Sequence, residues 1–271
     1  MTDFIDLFSY AFFQNALLAS ILTSVLAGII GTYVVARRSV FISGGITHAS
    51  FGGMGIAYYF GFPPFLGAGI FAILSSLGIE WTSNKAGLRE DSAIAILWSL
   101  GMAIGIIFVF LTPGYTPNLM GFLFGDILTV KQTDLIWLGA ISLSVVLLIR
   151  FFYDAIIITA FDPDYAKTTG LPVKTIRYTV SIFIAIAIVL SIKVMGIILV
   201  LSLFTIPPSA ANLFSKSYKK VMFLAVVISL VGSIIGLFMA YVFDLPSGAT
   251  IILTLTGFYT ISRIYKLLAT K

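Results

Sequence analysis

Cysteine is absent from this chain, which excludes disulfides and thiolate metal ligands and leaves imidazole, carboxylate, hydroxyl and carbonyl groups for any metal. Charge is scarce too: Asp, Glu, Lys and Arg make up 10% of 271 residues, 59% are hydrophobic, and mean hydropathy is +1.10. That composition excludes an ordinary soluble domain and fits a polytopic membrane protein. No G-x-x-x-x-G-K-[ST] phosphate loop or dinucleotide fingerprint occurs, so the chain is not expected to hydrolyse ATP or hold a dinucleotide itself. A single histidine cannot form an H-E-x-x-H pair, which removes an intramembrane metalloprotease and weakens enzymatic readings. The N-terminus carries Asp3 and Asp6 and no basic residue before the first apolar run, unlike a cleavable signal peptide, so the first span should be retained. The net charge of +5 is a poor basis for binding nucleic acid. There is no clear repeat, low-complexity tract or soluble insertion, and one membrane domain over 1–271 is expected.

What is there is a series of apolar runs. A bilayer core of about 30 Å needs roughly 20 apolar residues per helix. Candidate spans are Phe12–Val35, Val40–Phe60, Phe65–Trp81, Ser92–Leu111, Leu135–Phe152, Ile176–Leu190, Met195–Phe214, Val221–Phe243 and Ala249–Ile264. The expected fold is therefore all-α, with about nine transmembrane helices. If these spans alternate, five basic groups fall on one side: Arg37 and Arg38; Lys85 and Arg89; Arg150, Lys167, Lys174 and Arg177; Lys216, Lys219 and Lys220; Arg263, Lys266 and Lys271. The positive-inside rule makes that side cytoplasmic, with the N-terminus outside and the C-terminus inside; only Lys131 and Lys193 are exceptions. Asn118–Val130 is short and interrupted by glycine, and reads as a re-entrant or interfacial segment on the outer side. Outer turns are expected at Gly61–Pro64, Pro113–Pro117 and Asp244–Gly248.

The lone histidine, His48, lies inside the second span. An ionisable group at mid-bilayer costs roughly 2.5–3.5 kcal/mol on translocon scales, so it tends to face protein or water and to mark a transport path. Gly44, His48 and Gly52 share one helical stripe, and Gly45, Ala49 and Gly53 form the adjacent one. Glycine one turn either side of the imidazole leaves the ring unshielded by its own helix, and neutral imidazole suits zinc, manganese or iron. The competing reading is a histidine that hydrogen-bonds across two packed helices.

A second segment runs Asp162-Pro163-Asp164-Tyr165-Ala166-Lys167-Thr168-Thr169-Gly170-Leu171-Pro172. Asp162 suits an N-cap, Pro163 the first helical position and Asp164 the positive helix end, while Gly170 and Pro172 stop the helix after about two turns. This rigid cytoplasmic knob could dock into a partner and transmit its motion, or be a plain connector. Farther on, Pro207 and Pro208 remove two backbone donors and should kink their helix or end it early, freeing carbonyls either to line a pathway or simply to accommodate packing. Asp126, Asp134 and Asp244 stand at outer helix ends, where they read as solvated or capping carboxylates.

Taken in order and spacing, several segments resemble the permease subunits of bacterial ABC importers for zinc, manganese or iron, the ABC-3 family. They are the Arg37-Arg38 ending of the first span, Thr47-His48-Ala49, Leu123 to Leu128, Phe161 to Ala166, Gly170-Leu171-Pro172, Pro207 to Ala211 and Asp244 to Ala249. The resemblance covers nearly the whole chain. It implies a homodimeric permease in the bacterial cytoplasmic membrane, two cytoplasmic ABC ATPase subunits and an extracytoplasmic metal-binding protein. It further implies that the divalent ion is cargo with no resident cofactor, that ATP acts through the partners, and that the segment Asp162 to Ala166 with Gly170 and Leu171 is the coupling helix. Family members commonly carry Asp four residues before this histidine. Here the position is Gly44, leaving Thr47, Ser43, backbone carbonyls or a second copy's histidine as further ligands. The competing functions are a siderophore, haem or cobalamin permease, and an ion-coupled secondary carrier, which should use embedded carboxylates.

Overall fold

The computed structural model describes residues 9–85, 89–113, 125 and 127–269. Helix follows helix, with no strand among the described residues: α1 (Ala11–Ala36), α2 (Val40–Phe60), α3 (Pro64–Lys85), α4 (Glu90–Leu111), α5 (Gln132–Phe161), α6 (Pro163–Thr168), α7 (Val173–Met195), α8 (Ile197–Phe214), α9 (Tyr218–Phe243) and α10 (Ser247–Ala269). Eight are long and apolar enough to cross a bilayer; α2, at 21 residues, stands outside that set because Gly, Ser, Thr and His dilute its hydropathy. The all-α, polytopic fold expected from the apolar runs is thus the one observed.

Buried and exposed surfaces are arranged as lipid demands. Ser20, Thr23 and Ser24 of α1 are wholly buried, while Phe110 is 87% and Leu253 70% exposed. Lipid tails are as apolar as leucine, so helix association must come from close packing and internal hydrogen bonds. Ser20 and Thr23 donate to the carbonyls of Ala16 and Ala19 one turn back, at 2.9 and 2.6 Å, and Ser229 of α9 donates to Ser24 at 3.1 Å.

Two compact units divide the chain. Met1–Ala36, Leu119–Ser142 and Leu190–Lys271 form the first, built on α1, α8, α9 and α10. In it α1 contains a π turn, Ala27–Gly31, whose Gly31 meets the carbonyl of Phe204 in α8: a Cβ there would lie 2.5 Å from that oxygen. Arg37–Asn118 and Leu143–Val189 form the second unit, in which α2 packs against both α3 and α4.

Two local expectations are corrected. The fifth span was expected to end at Phe152, but α5 continues to Phe161 with a kink at Phe152 (φ −119°, ψ 21°). No Gly or Pro interrupts Tyr153–Ala160, so the helix stops only before Pro163. Nor do the prolines end α8, which runs through Pro207 and Pro208 to Phe214. The carbonyl freed opposite Pro208, that of Phe204, packs on Gly31, and a neighbouring helix thereby supports the interruption. Of Asn118–Val130, the described part holds a single 3₁₀ turn, Ile127–Thr129; residues 118–124 and Asp126 lie outside the described residues, as do residues 114–117 of the expected outer turn.

Candidate functional site

The surroundings of His48 begin with glycine. A Cβ at Gly52 would lie 2.8 Å from the Gly101 carbonyl, and one at Gly53 would run into the carbonyl of Gly67. Conversely, a Cβ at Gly101 would lie 2.5 Å from the Cα of Ala49. The backbone of α2 therefore abuts those of α3 and α4, a contact that only missing side chains permit. Gly45, one turn before Ala49, instead receives the side chain of Ile94.

At this distance His48 reaches Trp98 of α4. Their rings stack with centroids 4.4 Å apart and planes 4° from parallel. Stacking covers one face of the imidazole, but both nitrogens lie at the ring edge, the direction in which imidazole coordinates metal. The indole thus fixes the ring plane without consuming its ligating atoms. Trp98 had no signature in the sequence, because nothing in the spacing of two helices announces which ring will stack on which.

Oxygen groups nearby are largely committed. Thr47 donates to the Ser43 carbonyl, Ser43 to that of Val40 at 2.9 Å, and Ser50 to that of Thr47 at 2.6 Å. All three residues are wholly buried, and Gly44 one turn before His48 is buried too. Among the described residues no group of three or more His, Asp or Glu could hold a metal ion. One copy therefore offers, among the described residues, a half-buried imidazole whose nitrogens lie at the edge of a stacked ring and which belongs to no cluster of three His, Asp or Glu.

The expected knob forms as α6. The Asp162 carboxylate accepts from the Tyr165 amide at 2.9 Å, Pro163 occupies the first helical position, and Asp164 stands in the first turn. Gly170 has φ +80°; its amide donates to the Lys167 carbonyl at 3.1 Å, and the Leu171 amide to that of Ala166 at 3.0 Å. Together these two bonds make a Schellman stop. Ala166 is buried beneath, while Phe161 and Tyr165 are exposed. Lys167 pairs with Asp164 at 2.8 Å, and that hydrogen bond and its charge hold the Asp164 carboxyl below the usual carboxylate range.

Pro207 and Pro208 are buried in the first unit, Pro208 beside Gly31. Also there, Asp134 pairs with Lys193 at 2.6 Å, which neutralises one exception to the basic-residue pattern. Asp244 occupies the left-handed C-cap of α9 (φ 52°).

One charged cluster was missed in the sequence. Glu80, near the end of α3, is 2% exposed. Its carboxylate meets Arg177 Nε of α7 at 3.0 Å and Arg37 Nη1, three residues before α2, at 3.4 Å, and accepts from Ser181 at 3.1 Å. Arg37 Nη2 also meets Glu90, the first residue of α4, at 3.5 Å. Two acids and two guanidinium groups balance, which a cluster withdrawn from water requires. The available signal was an acidic residue, Glu80, closing an apolar run; Arg37 and Arg177 had been read only as orientation markers.

The ABC 3 transport family matches residues 9–266. A probable metal transport system membrane protein of Chlamydia trachomatis is 38% identical over 257 residues, covering 93% of this chain and 88% of that protein. The manganese transport system membrane protein MntC of Halalkalibacterium halodurans is 33% identical over 266 residues, covering 98% and 91%. Among solved structures, PsaBC from Streptococcus pneumoniae in complex with Fab superposes with a TM-score of 0.84 at 30% identity, over 96% of this chain and 94% of that one.

Proposed function

Since this chain belongs to the ABC 3 transport family, we propose that it is the membrane permease of an ATP-driven bacterial importer of divalent transition metal ions, manganese, zinc or iron. The observation that carries the reading is the family match over residues 9–266 in a chain whose one imidazole lies near the middle of the 21-residue helix α2. The names of the relatives, which speak of manganese and of metal transport, support the cargo class.

The division of labour follows from what the chain lacks. With no phosphate loop it leaves ATP hydrolysis to two cytoplasmic ATPase subunits, and it is not itself an enzyme. Two copies form the permease, each acting as one domain over 1–271, and an extracytoplasmic protein delivers the ion. The N-terminus lies outside and the C-terminus in the cytoplasm, a reading that the placement of the basic residues supports. ATP-driven closure of the ATPases pushes on α6, whose cap and Schellman stop let it move as a rigid piece. His48 contacts the passing ion through a ring nitrogen, with Trp98 holding the imidazole plane. One turn before His48 stands Gly44 and not an acid, so hydroxyl or carbonyl oxygens and the second copy's histidine complete a transient set. A transient set suits a path, where binding must be weak enough to release.

Metal-stimulated ATP hydrolysis by the co-purified complex in proteoliposomes tests primary transport; uptake that follows an ion gradient without ATP would replace this reading with a secondary carrier. For the site, His48→Ala should cut metal uptake at least about tenfold while the complex still assembles, and His48→Gln should restore assembly contacts without full transport. Gly44→Asp should change selectivity or retention among manganese, zinc and iron(II). Near-normal uptake of all three by His48→Ala would return the histidine to a packing role.

A further inference from the structure

The cluster around Glu80 joins pieces of the chain that the transport reading treats separately. α6 ends at Thr168, α7 begins at Val173, and Arg177 follows four residues later, about 6 Å along the helix. Arg37 stands three residues before α2, in which His48 comes eight residues after Val40, about 12 Å along the axis. Glu80 of α3 touches both arginines.

The grip on α7 extends over two turns. Ser181 donates to Glu80 at 3.1 Å, and its carbonyl accepts from Ser76 at 2.8 Å. Ser76 and Glu80 are one turn apart on α3, as are Arg177 and Ser181 on α7, so consecutive turns of the two helices are fastened rung by rung. All four of these side chains are at least partly withdrawn from water, Glu80 and Ser76 almost wholly. A charge-assisted bond in such surroundings is stronger than its counterpart in water.

We propose that Glu80 is a positioning residue for transport: it binds the start of α7 to the start of α2, so a push on α6 is delivered to the helix that carries His48. The proposal rests on the reading of α6 as the piece that receives the ATPase stroke. A long, flexible connection would absorb such a push, whereas a helix of rigid pitch held by a carboxylate with two guanidinium partners passes it on. The cluster is thus a mechanical joint, and its chemistry is not that of a metal site, because two adjacent guanidinium groups repel a divalent cation.

The test uses the whole transporter in proteoliposomes, reading ATP hydrolysis, uptake of whichever of manganese, zinc or iron(II) the native complex imports, and thermal unfolding. Glu80→Gln alone leaves an excess guanidinium charge, so the informative variant is Glu80→Gln with Arg177→Gln, which keeps the Arg37–Glu90 pair and stays neutral. This double variant should assemble, unfold close to the native temperature and hydrolyse ATP within about twofold of native, yet import about tenfold less metal per ATP. Arg177→Lys, which preserves charge but not the Nε contact, should fall between, with about a threefold loss. An unchanged metal-to-ATP ratio in the double variant would make Glu80 a purely structural group. Should the double variant not assemble, Arg177→Lys decides, and an unchanged ratio there overturns the proposal. Gly170→Val and Asp162→Ala separate the two readings. If they leave transport and ATPase recovery intact, the α6 reading fails and the proposal with it; if they uncouple transport while the Glu80 variants do not, the Glu80 joint alone is refuted.

Discussion

The two units hold their helices together by different means. In the first, glycines meet both side chains and backbone: Leu255 and Phe258 sit over Gly232 and Val226 over Gly28, while Gly31 and Gly236 meet the backbones of Phe204 and Ile251. Its buried polar groups are hydroxyls, and its ion pair, Asp134 with Lys193, is partly open, with side chains 11% and 33% exposed. In the second, Gly52 and Gly53 bring α2 against the backbones of Gly101 and Gly67, and the buried set includes the carboxylate of Glu80. The first unit's hydroxyls bond to their own helix, as Ser20 and Thr23 do, or to a neighbouring one, as Ser229 does to Ser24, and none of them carries a charge. A balanced charge cluster makes a set of contacts whose partners matter one by one, and the second unit also carries His48 and α6.

The comparison is broken most severely by removing a charge. Glu80→Ala leaves Arg177 and Arg37 without their shared carboxylate and should destabilise the protein by about 3–5 kcal/mol, whereas Asp134→Ala, at a partly exposed pair, should cost no more than about 1 kcal/mol. Thermal unfolding of both variants in detergent checks the ranking, and equal losses would show that burial does not separate the two pairs. Next in size is packing. Gly53→Ala places a methyl against the Gly67 backbone and should cost about 1–3 kcal/mol, while Gly232→Ala meets only the Leu255 and Phe258 side chains, which can shift, and should cost less. A Gly232→Ala loss as large as that of Gly53→Ala would erase the distinction between backbone-to-backbone and side-chain-to-backbone contact.

The smallest effect is electrostatic and local to α6. Asp164 has its pKa lowered, first by the hydrogen bond from Lys167 and then by that residue's charge. A depressed folded-state value means that the pair's contribution is present above the ordinary carboxylate range and is lost as pH falls through the depressed value. NMR titration of the Asp164 carboxyl should give a midpoint below that of a free aspartate, and Lys167→Gln should move it upward. A midpoint unmoved by Lys167→Gln would show that α6 keeps its shape without this pair.

α6 was legible in advance because each of its determinants is local. Asp162 caps an amide three residues away, Pro163 sets its own φ, and Gly170 takes the left-handed position, so reading along the chain suffices. Likewise the spans follow from apolar length, although the end of α5 was placed too early, at Phe152, just after Arg150, which was counted with the cytoplasmic basic residues, whereas an exposed arginine can sit on a continuing helix.

The amino-acid sequence by itself determined an all-α membrane protein, its helix order, the capped helix and the isolation of its one imidazole, because hydropathy, capping and composition act over a few turns of a single helix. Tertiary structure alone decided that Trp98 lies flat on His48, that Pro208 and the Phe204 carbonyl fit against Gly31, and that Glu80 joins Arg37 to Arg177 across 140 positions of chain, from 37 to 177. The physical reason is one of range: stacking, backbone approach and ion pairing depend on which helix faces which, and helices packed in lipid choose their neighbours by shape and by the partners available to each buried polar group.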